Sequence, residues 1–455
     1  MRKILFSIAC LLAVTVKADN INVATQAELA ALASSSHAGD VITLTADIEL
    51  TFGSGEYWTP IGTSGTPFEG TFDGNGHTIS GISINYKSGE GLAGLFGYVG
   101  TSGVVKNVVV AGNDYIYSNG DGKHTNYVGA IVGYNEGSIQ YCGNTAPVSA
   151  IHKNGRAGGV VGYNTGTITG CYNLGTVERS GVDVSTIYVG GIVGNNQTGG
   201  TVSGCMSTSG ITPDMTLANK DDNASTVSSY KNQTVNVLLD SRTLYADGSW
   251  NTLCLPFTIP AAALAGAEVR TLNNSAYADG VLTLNFCDPV STLSAGVPYI
   301  IKWPKADGYV DDDAHNIVSP SFTGVTIVVG YNDVETSYVD FHGTYNYLSA
   351  SEENRSILLV GAGNTLYWPL SDASVGAQHA YFRLKGLEAG DINAAHMNFV
   401  EDDVTGIIDN KRETITNNCG SITDDCLYDL QGRRLSPLTL KKGIYIHNGK
   451  KVVLK

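Results

Sequence analysis

The chain has 455 residues, enough for two or three domains, and only 15% of them are charged. A formal net charge of −15 leaves no basic footprint for nucleic acid. With 55 glycines and 12 prolines, the chain calls for many turns, a habit of β-rich architectures.

Residues 1–18 read as an export leader. Arg2 and Lys3 give a charged start, Ile4 to Val16 a short apolar run, and Val16-Lys17-Ala18 a small-residue cleavage site. Cys10 lies inside the apolar run rather than closing it, so a lipid-attachment cysteine is disfavoured. No later stretch approaches the roughly 18 apolar residues that a membrane helix needs. The expected location is secreted, or on the extracellular face of the outer membrane.

Region 19–211 opens with a helix-like stretch (27–33) and a strand-like one (41–44), and then repeats itself. One phrase recurs as Thr78-Ile79-Ser80-Gly81-Ile82, Val104 to Val108, Ser138 to Cys142, Thr167 to Cys171 and Thr201 to Cys205. A glycine-rich apolar segment precedes four of the five: Leu95-Phe96-Gly97, Ile131-Val132-Gly133, Val160-Val161-Gly162 and Ile192-Val193-Gly194. Aligning the phrases gives one apolar column of Ile79, Val105, Ile139, Ile168 and Val202, and a second of Ile82, Val108, Cys142, Cys171 and Cys205. Short β-prone strands at irregular intervals cannot bury a face alone, whereas stacked as rungs they close a continuous core. The helix-like start would cover the first rung and its open edge.

Residues 235–400 have another texture. Strand candidates at 235–239, 252–255, 281–284, 299–301 and 357–360 are separated by turn signals with no visible period, which suits a β-sandwich. Near the C-terminus, 428–430, 443–446 and 452–454 form a three-strand pattern, with Asn448-Gly449 as a tight-hairpin signal. The predicted class is all-β: a right-handed parallel β-helix (solenoid) at 19–211, then a β-sandwich domain and a small C-terminal β tail. Linkers are read at 212–234 and 401–425, and the β domains after them at 235–400 and 426–455.

Little in the chain points to catalysis. A column that accepts Ile, Val and Cys is a core column, so its cysteines read as small interior hydrophobes rather than a metal or redox ladder. Seven cysteines follow the leader, an odd number that forbids complete internal pairing, although neighbouring rungs lie near disulfide reach. Between the columns stand Ser80, Lys106, Gln140, Thr169 and Ser203, a face with one lysine and no acid. Beside them are Gly81, Asn107, Tyr141, Gly170 and Gly204. Asp73-Gly74-Asn75-Gly76-His77 has the composition of a turn. Asp311-Asp312-Asp313 lacks the spacing of a cation loop. With no H-E-x-x-H, G-x-S-x-G or P-loop, neither cofactor nor metal is expected.

The remaining binding signal is aromatic. Tyr98, Tyr134 and Tyr163 each follow the last glycine of their unit, and Asn135 and Asn164 follow two of them. Pointing outward, they would form a ladder for sugar rings or a protein partner. The plainer reading packs each tyrosine over its own turn, with the asparagine bonding backbone.

The Gly-Ile-Val-Gly-type segments, Gly94-Leu95-Phe96-Gly97, and Phe68-Glu69-Gly70-Thr71-Phe72-Asp73-Gly74-Asn75-Gly76-His77-Thr78-Ile79 resemble the GLUG repeats of bacterial surface proteins. The likeness covers about 20–210. Leu430-Gln431-Gly432-Arg433 and Lys442-Gly443-Ile444-Tyr445 resemble the C-terminal secretion and sorting domain of Bacteroidetes exported proteins. The resemblance implies an adhesin-like surface protein, and the repeated face without an acid–base constellation points to a non-enzymatic one, whose expected partner is a glycan or a host or cell-surface protein. An alternative is a secreted carbohydrate-active β-helix enzyme, a polysaccharide lyase or glycoside hydrolase, with acids such as Asp114, Asp121 or Glu136 in inter-rung loops. A structural or fimbria-associated subunit is a third.

Overall fold

The computed structural model describes residues 18–84, 91–112, 116–118, 125–150, 155–179, 188–349, 356–361, 364–369 and 373–399, with four strands between 427 and 454. The leader before Ala18 and the linker at 401–425 lie outside these. The protein is nearly all β and forms two compact units. The first takes residues up to Pro213 together with Ala262–Ala265 and Pro320–Gly324, and the second takes the rest.

The first unit contains a parallel β-solenoid of about four turns. One of its sheets stacks seven strands in the order Asn20–Val23, Val41–Leu44, Thr71–Asp73, Val104–Lys106, Ser138–Gln140, Thr167–Thr169 and Thr201–Ser203. Every strand is short, and the five from Val41–Leu44 to Thr167–Thr169 each hold a buried β-branched or aromatic residue between more exposed neighbours, as a pleated sheet with one inner face requires. The helix Gln26–Ala31 sits at the start. Thr25 and Glu28 form a reciprocal capping box at its first turn, and Leu29 and Leu32 enter the core of the solenoid. At the other end Ser321–Thr323 pairs antiparallel with Cys205–Ser207 and ends the parallel stacking there.

The register corrects both columns at their first member, since Ile82 moves with Ile79. Phe72, and not Ile79, is the partner of Val105. Ile79 pairs with Val110 in the adjacent sheet, so the phrase at 78–82 lies one sheet further along its rung than the others. The apolar column is therefore Phe72, Val105, Ile139, Ile168 and Val202. Cys142, Cys171 and Cys205 are fully buried free thiols. The amide of Cys142 donates to Cys171 Sγ at 3.4 Å and that of Cys171 to Cys205 Sγ at 3.3 Å. Burial pushes the Cys171 thiol well above its ordinary range. The column is packing, as its tolerance for valine implies.

Between the two sheets the chain turns a corner through the left-handed region. Asn107, Tyr141, Gly170 and Gly204 hold φ of 54°, 54°, 62° and 59°. That explains the run of glycine and asparagine at this position and makes Tyr141 the misfit. Its ring is exposed and recovers little by packing. Tyr141→Gly is expected to raise stability by about 0.5–1 kcal/mol in denaturant titration, the left-handed strain outweighing the entropy of glycine. A loss of stability would show that the ring carries the corner.

The second unit is built of packed sheets. All five strand candidates at 235–360 are strands: Thr234–Asp240, Asn251–Cys254, Val281–Phe286, Pro298–Lys302 and Ile357–Gly361. Further long strands of these sheets are Leu272–Ala278, Val339–Thr344, His379–Leu384 and Ala394–Phe399. Phe286, Ile300 and the paired Phe341 and Phe382 come from three sheets and share one core with Trp250, which precedes the strand Asn251–Cys254. Phe341 and Phe382 stack at 4.4 Å. The stretch 212–234 differs from its reading as a linker. It holds the strand Met215–Ala218, paired with Val237–Asp240, and the helix Ala224–Ser229. Buried Met215, Leu217 and Val227 explain the order in a stretch whose composition is polar. Near the C-terminus, Leu427–Tyr428, Arg434–Leu435, Gly443–His447 and Lys450–Leu454 form an antiparallel sheet.

Candidate functional site: an outer tyrosine face

Two adjoining four-stranded sheets of the solenoid build the face. The tyrosine sheet stacks Phe96–Val99, Val132–Asn135, Val161–Asn164 and Val193–Asn196, and the flanking sheet Leu92–Ala93, Tyr127–Gly129, Arg156–Gly158 and Tyr188–Gly190. Glycine brings their backbones together. A Cβ on Gly133 would lie 3.0 Å from Ala93 N and from Tyr127 O, and one on Gly162 2.5 Å from Val128 N. Gly129 and Gly158 are just as confined, their added Cβ falling 2.3 Å from Val132 O and 2.0 Å from Val161 O. The Gly-x-x-Val-Gly pattern is thus the signature of a chain folded back on itself with no space for side chains.

Tyr98, Tyr134 and Tyr163 are register partners and half-buried. Tyr98 and Tyr134 stack at 4.6 Å and 10°, Tyr134 and Tyr163 at 4.7 Å and 28°. Each such pair adds about 0.5–1.5 kcal/mol beyond burial. The tyrosines pack on one another, neither over their own turns nor splayed for a ligand. Both faces of the Tyr134 ring are taken, so a sugar ring cannot lie on it. What Tyr134 presents outward is its edge and hydroxyl. Burial, then the neighbouring Tyr163 and Glu136, raises the pKa of this hydroxyl, so it stays a neutral donor and acceptor at physiological pH.

The flanking sheet widens the face. Tyr127 meets Tyr134 and Tyr163 edge-on at 5.4 and 5.1 Å. Its register partner Arg156 places a guanidinium 5.9 Å from the Tyr127 ring and 5.0 Å from that of Tyr188, the next partner along. Tyr188 is 52% exposed, the most open of these rings. The sequence reading did not single out Tyr127, Arg156 and Tyr188. Their signal is an aromatic or basic residue two positions before the first glycine in three of the four units, Tyr127-Val128-Gly129, Arg156-Ala157-Gly158 and Tyr188-Val189-Gly190, where the first has Leu92.

Asn135 and Asn164 leave the candidate surface, because both are fully buried. Asn135 Nδ2 donates to Asn164 Oδ1 at 2.7 Å, and Asn164 Nδ2 to Asn196 Oδ1 at 2.7 Å. Asn135 also accepts the Gly137 amide at 3.1 Å. A second ladder joins Asn144 to Asn173 at 2.8 Å and Asn173 to Ser207 Oγ at 3.3 Å. These amides satisfy the backbone of the turn two residues on while bridging rungs, a structural duty that leaves nothing for a ligand.

Of the acid candidates, one can be placed. Asp114 and Asp121 lie outside the described residues, and Glu136 stands in the turn after Asn135. Among the described residues, no group of three His, Cys, Asp or Glu side chains is placed to hold a metal ion. Asp73 and His77 turn to different partners. Asp73 accepts from the Asn75 amide, Asn107 Nδ2 and Lys106 Nζ, while His77 pairs with Asp47. Asn75 and Gly76, at φ 51° and 82°, make the turn that the composition implied. Asp312 likewise bonds its own loop, through His315 and Ala314.

Residues 153–178 match the family described as the GLUG motif. The match contains Arg156–Gly158, Val161–Asn164, Thr167–Thr169, Tyr172–Asn173 and most of Val177–Arg179, one strand from each of five sheets. The motif is one turn of the solenoid. The chain is 41% identical over 99 residues to a "Putative Gly-rich membrane protein" of Evansella cellulosilytica, which covers 21% of this chain and 11% of that protein. It is 38% identical over 122 residues to halomucin of Haloquadratum walsbyi, 25% of this chain and 1% of that one. The chain thus spans only a small part of the length of either relative. Among solved structures, a "putative immunoglobulin A1 protease" from Bacteroides ovatus matches 38% of this chain and 73% of its own at 18% identity. Its TM-score of 0.23 carries no argument.

Proposed function

We propose that the protein is an exported, adhesin-like surface protein without enzymatic activity, whose solenoid presents the outer tyrosine face to a glycan or to a host or cell-surface protein. The observation that carries this reading is the unbroken row Tyr98–Tyr134–Tyr163, widened by Tyr127, Arg156 and Tyr188, repeated in register along one side. Aromatic and arginine side chains held on a stiff scaffold are the residues that dominate binding surfaces. Recognition then runs through hydroxyls, ring edges and the open Tyr188 ring, rather than through sugars stacked along the ladder. A leader-like start, a turn that matches the GLUG motif, and relatives named for membrane and mucin proteins agree with a surface location. The disulfide at Cys287 suits an oxidising compartment.

The test screens residues 19–455 on glycan arrays and matrix-protein panels, and in parallel for release of reducing or unsaturated sugar from polysaccharides. Saturable binding is expected, weakened about tenfold by Tyr127→Ser with Tyr188→Ser, the size of a hot-spot loss, and without sugar release. Robust turnover would move the protein to the polysaccharide lyase or glycoside hydrolase reading, and binding indifferent to the double substitution would remove the tyrosine face from it.

A further inference from the structure

The second unit buries a cation without a counter-charge. Arg242 follows the strand Thr234–Asp240 through Ser241, a left-handed residue at φ 59°, and is only 3% exposed. Its Nη1 donates to the carbonyl of Thr243 at 2.7 Å and its Nη2 to that of Thr252 at 2.6 Å. Its Nε–H is buried and meets no acceptor. Among the described residues it makes no ion pair. Carbonyl dipoles solvate a guanidinium in part, but they do not neutralise it. Burial alone pushes its pKa down to about 9, which still leaves the group charged at neutral pH.

Among the described residues no carboxylate is among the groups that act on the guanidinium, and the one acidic group that does is the Tyr245 hydroxyl. The ring of His379, kept neutral by burial and by Arg242 itself, has its Nδ1 3.3 Å from Thr252 Oγ1. On its other side the backbone is bare at Gly376, where a Cβ would fall 3.0 Å from His379 Nε2 and 2.2 Å from Asn219 Oδ1. A buried charge must be paired, hydrated or discharged, and arginine is not discharged at neutral pH. The Nε–H marks the side of the guanidinium to which the protein brings no acceptor.

We propose that Arg242 holds a small inorganic anion of chloride size in the folded protein, seated on its Nε–H. The near-complete burial of Arg242 fixes the size, since an organic acid would need an opening. The orphaned acceptors Asn219 Oδ1 and Gln378 Oε1 repel an anion, so water belongs at those two. This site is independent of the tyrosine face, and its failure would leave the surface reading untouched.

The experiment compares thermal unfolding of the mature protein in sodium chloride, bromide and gluconate at equal ionic strength. Chloride and bromide should raise the midpoint of the second unit by several degrees over gluconate, because a ligand of the folded state stabilises by mass action. The difference should vanish in Arg242→Met, whose side chain needs no counter-ion, and persist in Arg242→Lys. Crystals soaked in bromide should show an anomalous peak within hydrogen-bonding distance of the guanidinium, a readout that survives if Arg242→Met fails to fold. Midpoints blind to anion identity, or an electron-density feature at Nε that is water alone, would overturn the proposal.

Discussion

Gly162→Ala is expected to destabilise the solenoid by about 3 kcal/mol or more, the upper range for overpacking. The three atoms that its new Cβ would meet are Val128 N at 2.5 Å, Gly133 O at 2.7 Å and Tyr127 C at 2.9 Å. All are backbone, on strands locked into the ladders of two sheets, so none can swing aside as the end of a side chain does. Separating the sheets instead would pull Tyr127 away from Tyr134 and Tyr163. In a unit of this size such a loss lowers the unfolding midpoint by roughly 6–12 °C. Gly65→Ala is the control. Its nearest neighbour is Thr63 Oγ1 at 4.0 Å, and its change should stay within about 0.5 kcal/mol. Equal effects at the two sites would mean that the glycines serve flexibility and not close approach.

Asn173→Leu should cost about 3–6 kcal/mol, measured as the denaturant midpoint of the solenoid transition at constant slope. The side chain is fully buried and holds four bonds. It donates to Gly175 O at 2.8 Å and to Ser207 Oγ at 3.3 Å, and it accepts from the Gly175 amide at 3.2 Å and from Asn144 Nδ2 at 2.8 Å. Leucine has a similar volume, so little cavity forms. The loss comes from stranding the Gly175 peptide groups and the Asn144 amide in the core, at about 1–3 kcal/mol for each buried group left unpaired. Asn195 provides the contrast. It lies on the tyrosine row as the partner of Tyr163, only half-buried, and Asn195→Leu should change stability by less than about 1 kcal/mol.

Much of the scaffold was legible because its constraints are local. The glycine pairs, the period-two strands and the cysteine column that tolerates valine each state their own reason. Ile79 was misplaced for a reason equally physical. Thr78-Ile79-Ser80 carries the same pattern as Thr167-Ile168-Thr169, and alternation tells which face a residue takes but not which sheet it joins. The extra turn at Asn75-Gly76 decides that, by setting how much chain is spent before the strand begins.

The site was half legible. Gly-Tyr and Tyr-Asn steps exposed the tyrosine row. They also suggested that asparagine shares its surface, although adjacent residues on a strand point opposite ways. Asn135 and Asn164 turn inward because a buried amide can close the backbone of the turn two residues later and still reach the next rung. Polarity alone does not reveal such satisfaction. Tyr127, Arg156 and Tyr188 escaped because the segments before them differ in length and sequence from rung to rung, which hides their shared position until strand register aligns them.

The central claim is that one register carries the tyrosines outward and the asparagines inward along stacked rungs. Paired cysteines test it most directly. Tyr134→Cys with Tyr163→Cys places thiols on register partners, at a strand spacing of about 4.8 Å that lies within disulfide reach. Tyr134→Cys with Asn164→Cys offsets them by one residue and faces one thiol into the core. Under mild oxidation the first pair should crosslink rapidly in the native protein, read as a disulfide-linked peptide by mass spectrometry, and the second should not. Crosslinking of the offset pair, with none at the register pair, would contradict the account.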